Sequence, residues 1–182
     1  MFKIGGAIMA ELWDVYDEKR NKTGKLVERG NVKFEKGEFH IVVSAIILNS
    51  KKEILISQRA PHKKHSLKWE CNGGSILAGE TSLEGILREL KEELGLEFSK
   101  EEAILLKEIK REQFEYPDFK DIWLFRKDID IKDIKFTDGE AIAAKWITIE
   151  EFLNMYNNGE MVRTVDFEIE EYNKALELLK LK

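Results

Sequence analysis

Apolar and polar positions along the chain fall into segments of two different periods. Leu12-Trp13-Asp14-Val15-Tyr16 alternates, Asp17 to Gly24 is turn material, and Lys25-Leu26-Val27-Glu28-Arg29 returns, which predicts a β-hairpin over residues 11–30. Ile41 to Leu48 is a nearly unbroken run rich in Ile and Val, the pattern of a strand covered on both faces. Asn49 to Lys52 reads as a turn and Glu53 to Arg59 as a strand pairing back. Three more strand candidates follow Leu96: Ala103 to Lys110, Ile122 to Arg126, and Ile142 to Ile147. The helical period appears three times. Thr81 and Glu84 make a capping box ahead of Leu83, Ile86, Leu87, Leu90 and Leu94, and Gly95 stands where a glycine ends a helix. Thr148 and Glu151 make a second capping box, opening a short helix that ends near Asn158-Gly159. Ile169, Tyr172, Leu176 and Leu179 mark an amphipathic helix at the C-terminal end.

With no repeats, low-complexity stretches or linkers, residues 11–182 read as one domain, an α+β arrangement. Residues 1–10 read as a loose extension, with Met9 as an alternative start. The full 182 residues leave room for a proper core. Apolar residues at 43% and charged residues at 36% fit a soluble globular protein. A net charge of −5 argues against non-specific nucleic-acid binding, which needs a basic surface. The one cysteine, Cys71, excludes an internal disulfide and suits a reducing cytosol, so a cytoplasmic location is expected. No apolar run approaches membrane-spanning length, and Ile4 to Ala10 is too short and poorly flanked for a signal peptide.

The chemistry concentrates between Gly74 and Leu96. On a helix beginning after Thr81, Glu89 and Glu93 lie about 40° apart and Glu92 about 60° to the other side of Glu89. Three carboxylates then crowd one flank beside the apolar arc. Like charges at this spacing destabilise a helix and raise one another's pKa. A hard divalent cation with oxygen ligands resolves the conflict, and Mg²⁺ commonly works alongside substrate phosphates. The competing reading is a solvated charged face with Arg88 paired to Glu92.

The full pattern from Gly74 favours the cation. Gly74, Glu80, Arg88, Glu89, Leu90, Glu92, Glu93, Gly95 and Leu96 fill every fixed position of the Nudix box, G-x5-E-x7-R-E-U-x-E-E-x-G-U with U aliphatic. A chance match at this composition is on the order of one in a million. The chain therefore resembles the Nudix hydrolases, and its opening Glu11-Leu12-Trp13-Asp14-Val15-Tyr16-Asp17-Glu18 is similar to members grouped near isopentenyl diphosphate isomerase. The resemblance implies an α/β/α sandwich, a mixed sheet flanked by helices, and hydrolysis of a diphosphate bond with Mg²⁺ or Mn²⁺. It implies Glu89, Glu92 and Glu93 with the Gly74 carbonyl as metal ligands, and Arg88 with Glu80 as an orienting ion pair. It also marks Glu140 as an acidic loop residue able to serve as base or metal contact, although an Asp-Gly turn followed by Glu is chemically ordinary.

Upstream of the box, Arg59 and the loop carrying Lys63 and Lys64 form the densest basic run near it. They are candidates for binding a small-molecule diphosphate, against the alternative of a solvated loop. His40 reads as structural, since one lone histidine makes no metal site, and Trp69 as a packing residue. The loop Phe114 to Phe119 has two readings, a stacking surface for a ligand or a cap on the core. Nothing in the N-terminal hairpin by itself points to catalysis. Two other activities compete with hydrolysis. An isomerase would need a cysteine at the position of Gly73 and a metal histidine at that of Ser75; Cys71 lies two residues early. A nucleotide-sensing module would be expected to lose a box glutamate, and none is lost. The attached moiety and the oligomeric state, a homodimer included, are left open.

Overall fold

A computed structural model of the chain describes residues 3–4, 7–8, 10–114, 116–162, 167 and 169–181. Two short strands, β1 (Lys3–Ile4) and β2 (Ala7–Ile8), pair antiparallel, so the segment read as a loose extension carries a small ladder of its own. Met9 lies outside the described residues. The expected hairpin follows as β3 (Leu12–Tyr16) and β4 (Lys22–Glu28), paired antiparallel. The remaining strands are β5 (His40–Leu48), β6 (Ile54–Arg59), β7 (Trp69–Glu70), β8 (Gly73–Ser75), β9 (Ile104–Arg111), β10 (Asp118–Arg126) and β11 (Ala141–Ile147). Three helices, α1 (Ser82–Leu94), α2 (Ile149–Asn157) and α3 (Ile169–Leu178), match the three helical patterns.

The main sheet runs β11-β6-β5-β10-β9, with β7 beside β6 and β8 beside β5. It is mixed: β10 lies parallel to β5 over nine residues, and the other pairings are antiparallel. β5 explains its own apolar run. Ile41, Val43, Ala45 and Ile47 face Ile86, Leu90 and Leu94 of α1, while Ile46 and Leu48 face Phe152 and Met155 of α2 and Tyr172 and Ala175 of α3. A strand between two helical layers has no solvent side on which to carry polar residues. The result is the expected α/β/α sandwich with an N-terminal hairpin.

Two departures from the sequence reading bear on function. First, β5 and β6 do not pair along their length; they meet at Leu48 and Ile54 and then splay. Residues 69–75 enter the gap, β7 pairing with Ser57 and Gln58 on one side and β8 with Val42, Val43 and Ser44 on the other. Second, β10 begins at Asp118, four residues before the expected Ile122. Polar residues hid its start: Asp118 and Asp121 are buried against the guanidinium groups of Arg111 and Arg20 respectively. Phe119 therefore belongs to a strand and packs 5.0 Å from Phe39, as a cap on the core, and Glu115 of that loop lies outside the described residues. His40 is structural as expected, buried and stacked 4.4 Å from Trp13.

The close approach of β8 to β5 leaves no room for a side chain at Gly73. Its φ is +153°, and a Cβ there would stand 2.1 Å from the Val43 carbonyl oxygen. Gly73→Ala should lower stability by roughly 2 kcal/mol or more, because backbone rather than a flexible side chain must give way. Urea denaturation checks this; a midpoint like the parent's would mean that β8 moves without cost.

Candidate active site

Helix α1 is fixed at both ends. Thr81 Oγ1 accepts the Glu84 N–H at 3.2 Å and Glu84 accepts the Thr81 N–H at 3.1 Å, a reciprocal cap that satisfies two backbone donors at the helix start. At the other end Gly95 takes the left-handed conformation at φ +66°. Its apolar arc is buried on the sheet, so Glu89, Glu92 and Glu93 have one direction left, toward the mouth of the split between β5 and β6.

Arg88 and Glu80 form the expected brace. The guanidinium donates from Nε to Glu80 Oε1 at 2.7 Å and from Nη2 to Glu80 Oε2 at 3.0 Å. Glu80 Oε2 also accepts the Leu77 N–H at 2.8 Å, so the pair ties the loop before α1 to the helix itself. The same Arg88 donates from Nη1 to Glu89 at 2.9 Å and Glu92 at 3.0 Å, and from Nη2 to the Ser75 carbonyl at 3.2 Å.

Glu93 is buried and held differently. Asn72 Nδ2 donates to its Oε2 at 2.8 Å and to Ser57 Oγ at 3.0 Å, with the Gly73 N–H 3.3 Å from the same Oε2. Burial, with Glu89 and Glu70 nearby, raises its pKa well above the ordinary carboxylate value. Glu89 is pushed up to about 7, mainly by burial, with Glu92 and Glu140 adding to the effect and Arg88 opposing it. A Cβ at Gly74 would stand 2.5 Å from Glu89 Oε1, so a side chain there would displace this carboxylate from its place.

These groups line an open cleft of about 720 Å³ with Glu11, Arg29, Arg59, Lys63, Gly73, Gly74, Thr137, Asp138 and Glu140. Eight of the sequence-stated candidates thus meet in one place: Gly74, Arg88, Glu89, Glu92, Glu93, Glu140, Arg59 and Lys63. Glu80 braces from behind. Lys64 is exposed and does not line the cleft; it contributes its carbonyl, which accepts Arg59 Nε at 2.7 Å. Arg59 is further clamped to Glu70 at 2.6 and 2.7 Å, and Lys63 is paired with Glu140 at 2.6 Å.

Several residues escaped the sequence reading. Asn72, Ser57 and Glu70 act through contacts across the split strands, which no local pattern announces. Thr137 donates to the Glu92 carbonyl at 2.6 Å and holds the loop before β11 to the end of α1. Glu11 and Arg29 arrive on the N-terminal hairpin, and only folding brings them here.

The donor chemistry fits a hard divalent cation: three carboxylates on one helix flank and a glycine-rich turn, all offering oxygen. Two of the carboxylates are penalised as anions by burial, a cost that a cation removes. Within the protein, Arg88 balances the charge of Glu89 and Glu92. Among the described residues no three acidic, histidine or cysteine side chains stand close enough together to form a ready cage.

A three-layer sandwich carrying a glycine turn and a capped helix with three carboxylates on one flank is the arrangement that the sequence pattern implied. Comparison with known proteins gives the same class. The NUDIX domain family model matches residues 38–165, and the chain belongs to the Nudix family. An uncharacterized Nudix hydrolase of Listeria monocytogenes is 33% identical over 157 residues, covering 84% of this chain and 88% of that protein. A crystal structure from Deinococcus radiodurans shares the fold with a TM-score of 0.69 at 24% identity, covering 84% of this chain and 92% of that one. The Nudix domain of Shewanella oneidensis NrtR, solved with ADP ribose, gives 0.60 at 16% identity, over 82% and 94%. Among the described residues no helix is long and apolar enough to cross a membrane.

The raised Glu89 sets a pH dependence. A carboxyl whose pKa rises from 4.5 in the unfolded chain to about 7 in the fold keeps its proton longer when folded. Its contribution to stability is therefore lost as pH rises through that window. In metal-free buffer Glu89→Gln should match the parent near pH 4 and exceed its stability above pH 7, and Mg²⁺ should narrow the gap. Thermal melts at the two pH values check this; a parent that stays level with the variant above pH 7 contradicts it.

Proposed function

We propose that this chain hydrolyses the diphosphate linkage of a nucleoside diphosphate derivative or a related organic diphosphate, with Mg²⁺ or Mn²⁺ as cofactor. The observation that carries the reading is the convergence of Glu89, Glu92 and Glu93 from one helix in a cleft that also holds Arg29, Arg59 and Lys63. Glu89, Glu92, Glu93 and the Gly74 carbonyl would hold the cation. When bound, such a cation neutralises charge building on the phosphate oxygens and lowers the pKa of water. Arg88, held by Glu80, keeps the carboxylates oriented. A carboxylate of the set, or Glu140, takes the proton of the attacking water. Nucleotide-derived substrates are further supported by the ADP ribose bound to the Shewanella domain and by a Francisella tularensis relative in fold that is a bifunctional NMN adenylyltransferase/ADP ribose pyrophosphatase.

Isomerase chemistry is opposed by Cys71. Its side chain lies in the apolar layer beneath α2 and α3, away from the cleft, and burial pushes its thiol up to about 12. A thiol in that environment is a poor proton donor or nucleophile.

A panel of nucleoside diphosphate sugars, dinucleotides, nucleoside triphosphates and prenyl diphosphates, offered with Mg²⁺ or Mn²⁺ and read by phosphate or nucleotide release, tests the reading. Glu93→Gln should lower turnover of whichever substrate is cleaved by on the order of 10²–10⁴-fold with the fold intact; near-parental turnover removes Glu93 from the machinery, and no cleavage of any compound overturns hydrolysis. The basic loop divides further. Lys63→Glu should raise KM, with added salt reproducing part of the effect, whereas Lys64→Glu should leave KM nearly unchanged because it stands outside the cleft. Equal effects from the two would return the loop to a general surface charge.

A further inference from the structure

Four cations line the cleft, and three of them are no more than 20% exposed and tied to protein carboxylates. Arg88 spends Nε, Nη1 and Nη2 on Glu80, Glu89, Glu92 and the Ser75 carbonyl. Arg59 spends Nε on the Lys64 carbonyl and Nη1 on both oxygens of Glu70, with its side chain 18% exposed. Lys63 faces Glu140. Arg29 differs. A guanidinium has five N–H donors, and among the described residues the side chain of Arg29 makes one hydrogen bond, from Nη1 to Glu11 Oε2 at 2.5 Å. It is 52% exposed, yet close enough to Glu89 and Glu140 that both raise its pKa. The residue follows β4, in a part of the chain that precedes the family match at residue 38.

We propose that Arg29 is a phosphate-binding residue of the substrate site and that Glu11 is its resting partner, a carboxylate held where a phosphate oxygen of the substrate will sit. Resting on the diphosphate reading, this gives the site an anion contact from outside the matched domain. Glu11 is itself stationed by the hairpin, since the Arg29 N–H donates to its carbonyl at 2.8 Å. A planar fork with unused donors suits the bidentate geometry of a phosphate, and the Arg29 charge stays paired with an oxyanion before and after the exchange. The hairpin that carries Arg29 is bonded to the loop before α1: the Ala78 N–H donates to the Leu12 carbonyl at 2.7 Å and the Gly79 N–H to Asp14 at 2.8 Å. Arg29 is thereby set in register with the carboxylates, while its side chain keeps the freedom to change partner.

The test is calorimetric titration of the purified full chain, in Mg²⁺ buffer, with methylenediphosphonate, a diphosphate mimic that cannot be hydrolysed. Arg29→Gln should weaken binding about tenfold or more, the loss of a charge-assisted contact, and Arg29→Lys should recover only part. Glu11→Gln should tighten binding several-fold, and that gain should vanish when Arg29→Gln is present, because the two act as a pair. Thermal melts establish that each variant is folded, and the Glu11→Gln arm decides the matter if Arg29→Gln is not. Unchanged affinity in Arg29→Gln, a Glu11 effect that survives without Arg29, or a parent that does not bind the probe each overturns the assignment. Arg29-dependent binding in a protein that cleaves no diphosphate supports it and overturns hydrolysis instead.

Discussion

The site depends on the parting of β5 from β6. Two strands that stop pairing leave rows of backbone donors and acceptors that must be satisfied elsewhere, since buried peptide groups seldom go unpaired. Residues 69–75 supply the partners, β7 toward β6 and β8 toward β5. Between them the Asn72 carbonyl accepts the Ala45 N–H at 2.8 Å, and the Asn72 side chain spans Ser57 and Glu93. The glycines at the end of this segment follow from the same geometry. At Gly73 the β5 backbone, and at Gly74 the Glu89 carboxylate, occupy the space that a Cβ would need.

Electrostatics then act on what packing has assembled. Acidic groups in and around the cleft outnumber the cations, and burial makes Glu89 and Glu93 costly as anions. Arg88 offsets part of that cost at Glu89 and also pairs with Glu92, Lys63 pairs with Glu140, and Glu93 is held by Asn72 and the Gly73 N–H. These pairs serve function more than stability, because a pair between partly exposed groups contributes little net energy. They fix the carboxylates and cations in defined positions around the cleft.

How much of this could be read from residues alone varies with the range of the interaction. Helix α1, both its caps and its crowded carboxylates are written in a contiguous stretch, so period and capping chemistry were sufficient. The Arg88–Glu80 brace was legible because a family pattern marks both positions. The start of β10 was not, because Asp118, Lys120 and Asp121 look like loop until Arg111 and Arg20 are found beside two of them. Arg59 was readable as a candidate ligand contact and does line the cleft, but its clamp by Glu70 was not, because that partner eleven residues on pairs with it only where β7 lies along β6.

The hairpin is the clearest case of chemistry that sequence could not announce. Its alternating pattern was readable, and so was its turn, but an alternating strand says only which residues share a face. Where that face goes is decided by three sets of contacts at long range. Tyr16 and Phe39 exchange backbone hydrogen bonds at 2.8 and 2.9 Å, Arg20 in the turn reaches Glu108 and Asp121 on the main sheet, and Leu12 and Asp14 receive the N–H groups of Ala78 and Gly79. Because the last of these bonds fall on the loop that opens α1, the hairpin cannot shift without carrying the entrance of the site with it. A segment outside the matched domain is in this way part of the site's frame, and its backbone sets the place at the cleft from which Glu11 and Arg29 extend.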